Sequence, residues 1–207
     1  MSTKKLILTM SLTLVTSIIF FGGCSSFDKK INKTSSDLFV FIDADTNKIP
    51  KNFKTYLLFL QPSYKPLYNQ AQWDQMYQAF KELGVSIGKD NAAVWLAQAH
   101  DVSPNIEESR CLIDKINKSS NFLETKLEYD KSPIIIFSNY NPDTAIRPDG
   151  GYYTAIQFEG NDPRAIINFF DKLSQSIRSE KVNPWTLEKE QWKKNVQGLI
   201  SKILGQV

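Results

Sequence analysis

The chain has 207 residues, 42% hydrophobic and 23% charged, with 25 Lys and Arg against 22 Asp and Glu, a net charge of +3. That length and apolar content are enough for one domain with a proper core, and the small charge imbalance, with no long basic run, excludes the electrostatic footprint of a nucleic-acid binder. Two cysteines and one histidine leave little material for a disulfide framework or a metal cluster.

Lys4 and Lys5 open the chain, and Leu6 to Phe21 carry no charge. Gly22, Gly23 and Cys24 follow. A basic start, an apolar run and small residues before a cut form the pattern of a secretory signal peptide. A cysteine directly after two glycines makes this stretch resemble a bacterial lipoprotein signal, with Phe21 where that family has Leu. The resemblance implies cleavage after Gly23, a lipid on Cys24 and the membrane as a partner through that lipid. Ser25, standing where Asp would signal retention, implies an outer membrane facing the periplasm if the cell is Gram-negative. Removing residues 1–23 takes away Lys4 and Lys5 and no acid, leaving 184 residues with a net charge of +1. Cys111 is then the one remaining thiol, and its neighbours Leu112 and Ile113 suggest a buried, inert one.

Residues 24–36 form the lipidated cysteine and a polar tether, with only two large apolar side chains among SSFDKKINKTSS. A single domain is expected over 37–207. Leu38 to Ile42 is a first apolar β-prone run, closed by Asp43, Asp45 and Asn47. These three have the spacing of a calcium loop, but Lys48 and Lys54 occupy the positions that need Gly and Glu, so a polar turn is the reading. Thr55 to Leu60 is a second buried strand, and Pro62 and Pro66 bar regular structure after it. Trp73, Met76, Tyr77, Phe80 and Leu83 make one helical stripe, with Gly84 and Gly88 to end it. Ala92 to Ala97 is a third strand. Ser103 and Pro104 offer an N-cap and a proline at N1 for a helix reaching Lys118, with Leu112, Ile113 and Ile116 inward. Ile134 to Phe137 is a fourth strand, the 139–151 segment a long loop, and Tyr153 to Phe158 a fifth strand. Asp162 and Pro163 open a helix with the stripe Ile166, Phe169, Phe170, Leu173 and Ile177. A C-terminal amphipathic helix over 186–204 carries Trp192, Val196, Leu199, Ile200 and Ile203.

From Lys54 onward the order is strand, helix, strand, helix, strand, hairpin, strand, helix. Ser132-Pro133 stands immediately before an apolar strand, and Pro133 matches the position of the cis-proline in the thioredoxin fold. With the chain laid against that family, Tyr64-Lys65-Pro66-Leu67 takes the place of the redox motif, keeping its proline and lacking both cysteines. Residues 37 to about 180 thus resemble a thioredoxin-like domain: an α/β fold with a mixed central sheet flanked by helices, followed by the C-terminal helix. Another α/β arrangement with a mixed sheet fits the same order of elements.

Thioredoxin chemistry needs an attacking thiolate and a resolving thiol, and Tyr64 and Leu67 supply neither. His100, beside Asp101, has no second histidine to build a metal site. No nucleophile elbow, P-loop or dinucleotide fingerprint is present, so no catalytic residue and no cofactor is assigned. Glu107-Glu108 and Glu188-Glu190 read as solvated helix faces, and Trp73, Trp95 and Trp192 as core. What the resemblance implies is a redox-inactive module for a peptide or protein partner in the cell envelope. Its candidate site is Tyr64, Lys65, Pro66, Leu67, Ser132 and Pro133, with Tyr140, Arg147 and Tyr152 around the long loop as a second surface. Two other readings stand beside it: a structural subunit docking through the last helix, and an enzyme using Cys111 or His100.

Overall fold

The computed structural model describes residues 32–33, 40–41, 49, 51–88, 90–98, 102–120, 126–144, 146–158, 162–179 and 189–205. The expected signal stretch, Cys24, the turn expected over Asp43–Asn47, His100 and Asp101 lie outside them, as do 186–188 at the start of the expected last helix.

In chain order the elements are β1 (Asn32–Lys33), β2 (Val40–Phe41), β3 (Thr55–Leu60), α1 (Gln70–Ser86), β4 (Asn91–Trp95), α2 (Ile106–Ser119), β5 (Ile134–Ser138), β6 (Tyr153–Gln157), α3 (Pro163–Ser179) and α4 (Lys189–Leu204). The central sheet has the order β4-β3-β5-β6. β4 runs parallel to β3, while β5 is antiparallel to both β3 and β6. The protein is therefore mixed α/β. β1 pairs antiparallel with β2, so part of the expected tether is strand: polar residues still offer main-chain groups to a ladder.

Both faces of the sheet are covered, which is why β3 is a continuous apolar run rather than an alternating one. Side chains alternate between the two faces. Leu57, Phe59, Trp95, Ile135 and Phe137 pack with α1, α3 and α4. Tyr56, Leu58, Leu60, Val94, Ile134 and Ile136 pack with Leu112, Ile113 and Ile116 of α2. The first layer centres on Phe59, stacked on Trp95 with 4.2 Å between ring centroids. α4 buries Trp192, Val196, Leu199, Ile200 and Ile203 in that same layer, and the Trp192 indole N–H donates to Thr55 Oγ1 at 3.1 Å.

Several boundaries differ from the sequence reading, three of them by more than one residue around α1, β4 and α2. α1 continues through the buried Gly84 to Ser86, and the chain turns at Gly88, whose φ of 86° suits glycine. α2 starts at Ile106 with Asn105 as its N-cap, because Pro104 is held in a bridge to Ala97. The Asn105 side chain accepts from the Glu108 N–H at 3.1 Å, which makes it the better cap than Ser103. The third strand ends at Trp95, with Ala97 left as that isolated bridge.

Candidate functional site

The β3–β5 ladder runs out at the pair Leu60 and Ile134. Beyond it the chain leaves β3 as Gln61-Pro62 and enters β5 through Ser132-Pro133, so these segments meet at one end of the sheet. The Ser132–Pro133 bond is cis, and so is Lys65–Pro66, which nothing in the sequence had suggested. Of the six residues named for this end, Pro66, Ser132 and Pro133 are buried. Lys65 is exposed, and Tyr64 and Leu67 are 61% and 87% exposed.

The segment between Gln61 and Leu67 is fixed by residues that the sequence reading passed over. Gln61 is 2% exposed. Its backbone N–H donates to Ser109 Oγ at 3.2 Å, and its Nε2 donates to the carbonyls of Ser63 at 2.8 Å and Lys65 at 3.3 Å. Arg110 on α2 donates from Nε to the Pro62 carbonyl at 2.6 Å. Its guanidinium lies 5.5 Å from the ring centroid of Tyr64 and 5.6 Å from that of Tyr129, a contact each ring face favours. The Tyr64 hydroxyl reaches Glu107 Oε1 at 3.4 Å. The Tyr129 hydroxyl donates to Asp114 Oδ1 at 2.5 Å, and this bond, with burial and the Asp114 charge behind it, pushes the phenol up to about 12.

The next residue along, Tyr68, packs edge-on against Trp73 with centroids 4.7 Å apart. Burial, reinforced by the Asp162 carboxylate, pushes its phenol up to about 12. The Tyr68 hydroxyl, the Gln61 Oε1 and the Ser132 Oγ are buried without a hydrogen-bond partner. The result is a segment that exposes Tyr64 and Leu67 and is held by buried polar groups beneath its backbone. Among the described residues no cluster of His, Cys, Asp and Glu could hold a metal ion.

The second surface is at the far end of the sheet, where β5 leads into the 139–151 loop. Tyr140, Arg147 and Tyr152 do come together, but as packing. Arg147 lies 5.8 Å from the Tyr140 ring centroid and 5.7 Å from that of Tyr152, and its Nε donates to the Gly151 carbonyl at 2.6 Å. Lys193 of α4 covers Tyr152 at 5.0 Å. Asn139 clasps the loop base, accepting from the Tyr152 N–H at 2.7 Å. Lys115 of α2 holds Asp143 at 2.5 Å. Glu108, on the same helix, is raised by burial and by Asp143, with Lys115 pulling the other way.

Cys111 is half-buried and disulfide-bonded, and the described residues contain no free cysteine. This corrects the expectation of a lone buried thiol: the residue sits at the rim of the inward stripe of α2, between the buried Leu112 and the solvent side. No helix among the described residues is long and apolar enough to cross a membrane. No family model, curated protein or solved structure matches the chain.

Proposed function

We propose that this is a cell-envelope lipoprotein, anchored through lipid on Cys24, whose domain is a thioredoxin-like module without a dithiol that holds an extended segment of a protein partner. The observation that carries the reading is the exposure of Tyr64 and Leu67 on the segment that leaves β3 at the end of the sheet where the buried cis-Pro133 leads into β5. The sheet order and strand directions support the fold assignment. Tyr64-Lys65-Pro66-Leu67 stands where the family carries its reactive cysteines, so what is left of that site is surface for binding. The anchor rests on Lys4, Lys5, the uncharged run and Gly22-Gly23-Cys24, and Ser25 favours the outer membrane of a Gram-negative cell. Two fatty chains or more hold a protein on a bilayer where one does not.

The rival readings have less support. An enzyme using Cys111 needs a free thiolate. The chain has two cysteines, so a lipid on Cys24 and a disulfide within one chain exclude each other; the thiol that lipidation leaves on Cys111 stands in the middle of α2, not in the Tyr64–Leu67 segment that takes the place of the redox motif. A subunit docking through α4 needs an apolar face to spare, and the face of α4 is spent on its own domain.

The test is the double variant Tyr64→Ala, Leu67→Ala beside a deletion of residues 142–148, each scored for folding and for recovery of cross-linked partners from solubilised envelope. The proposal expects the double variant to fold and lose its partner. Retention of every partner by the folded double variant contradicts it.

A further inference from the structure

We infer that this end of the sheet recognises a main-chain amide of its ligand through two buried side chains, Gln61 and Ser132. The inference rests on the peptide-site reading above and gives that site its polar chemistry. Gln61 has an acceptor to spare. Its Nε2 faces the two carbonyls of Ser63 and Lys65, which fixes which end of the side-chain amide is nitrogen. The oxygen on the other side is buried with no partner. Ser132 is likewise 2% exposed, and its hydroxyl has no partner either.

Gln61 is one residue past Leu60 and Ser132 two residues before Ile134, and those two residues form the last pair of the ladder. Both unsatisfied groups therefore sit at the same end of two adjacent strands. Buried polar atoms without a partner are few in native proteins, and each asks for an explanation. Two of them on segments that meet at one end of the sheet point to a shared partner.

The chemistry of the pair selects the ligand class. The Gln61 oxygen can only accept, so the ligand must donate to it. The Ser132 hydroxyl can donate in turn to an acceptor on the same ligand. A carboxylate has no proton to give. An ammonium has no acceptor and carries a charge into a buried site. A peptide group carries both one N–H to donate and one C=O to accept, the complement the pair requires. The amide end of Gln61 lies inside the turn formed by residues 63–65, so ligand entry requires that turn to shift away from Gln61.

The experiment titrates N-acetyl-dialanine N-methylamide into the full-length isotope-labelled protein, and beside it the analogue in which an ester replaces the central amide. Amide and ester have nearly the same shape, and the ester lacks the N–H. The inference expects resonances of residues 61–68 and 132–134 to shift, with the amide bound about tenfold tighter, the ratio one hydrogen bond supplies. Ser132→Ala should weaken amide and ester alike by about tenfold, through loss of the bond to the ligand carbonyl, while leaving the thermal midpoint equal or higher, because it removes a buried unpaired hydroxyl. Equal binding of amide and ester at these residues overturns the inference and leaves the peptide site standing. No shift at these residues with either compound overturns both. A lowered midpoint for Ser132→Ala shows that the hydroxyl already has a partner and also overturns the inference, while the amide–ester comparison on the unaltered protein depends on no variant.

Discussion

Trp192 donates its indole N–H to Thr55 Oγ1 across 137 positions of chain, tying the last helix to the first residue of β3. Both groups are buried, Thr55 completely. The bond makes α4 part of the core, where the sequence offered either a packed helix or a docking element. Trp192→Phe strands the Thr55 hydroxyl and leaves a small cavity, and should cost about 2 kcal/mol in denaturant unfolding. Leu199→Asp places a carboxylate among Val196, Ile203 and the α3 stripe and should cost about 3 kcal/mol. A Leu199→Asp protein that unfolds like the parent would return α4 to the docking reading.

The same experiment on the far loop asks whether it is built or merely tolerated. A Cβ on Gly151 would stand 2.9 Å from the Pro148 carbonyl oxygen and 3.0 Å from Tyr140 Cδ1. Neither can retreat freely, since Arg147 binds the Gly151 carbonyl and lies against Tyr140. Gly151→Ala should lower stability by about 1–3 kcal/mol. An unchanged unfolding midpoint would mean that the Tyr140–Arg147–Tyr152 packing does not hold in solution.

The strands and the helix stripes were legible in the sequence because burial on two faces leaves its mark directly: Thr55 to Leu60 and Ile134 to Phe137 are apolar at every position but the first threonine, and α3 shows every inward residue at helical spacing. The cis bond before Pro133 and the meeting of Leu60 with Ile134 are what the resemblance to the thioredoxin fold implies, and both are present. The supports of the site were not legible. Gln61 reads as the polar residue that ends a strand, and only the fold shows its side chain turned inward on Ser63 and Lys65. Arg110 and Tyr129 are far from Tyr64 in sequence, and no periodicity links a helix residue to two loops. Pro104 looked like the first turn of a helix because its bridge to Ala97 depends on a strand partner that local pattern cannot supply.

The Tyr129–Asp114 bond gives a pH signature. The phenol is held at about 12 in the folded protein, above the roughly 10 of a free tyrosine. Native protein therefore holds its proton more tightly than unfolded chain between those values. The stability this contributes is fully present below pH 10 and is lost as pH rises through 10 toward 12. Ultraviolet titration of phenolate, with Tyr129→Phe to assign the step, should show it moving down in Asp114→Asn. A step that stays in place would mean that the hydrogen bond is not its cause.

The anchor predicts a coupled pair of results at the two cysteines. Cys24→Ser should leave an unprocessed precursor that takes up no labelled fatty acid. In the processed parent protein, Cys111 should react with maleimide without prior reduction, because the proposed lipid on Cys24 leaves it no disulfide partner within the chain. Normal processing of Cys24→Ser would dismiss the anchor, and a Cys111 that reacts only after reduction would place the disulfide in the mature protein.

The most direct test of the binding account is a photo-cross-linking amino acid placed at Leu67 in the living cell, with the same probe at Ile146 as the control. Both side chains are exposed, one in the segment that leaves β3 at the end where Pro133 enters β5 and the other in the loop at the opposite end of the sheet. The account predicts a discrete protein adduct from position 67, weakened by Tyr64→Ala, and none from position 146. An adduct from position 146 with none from position 67 would contradict it.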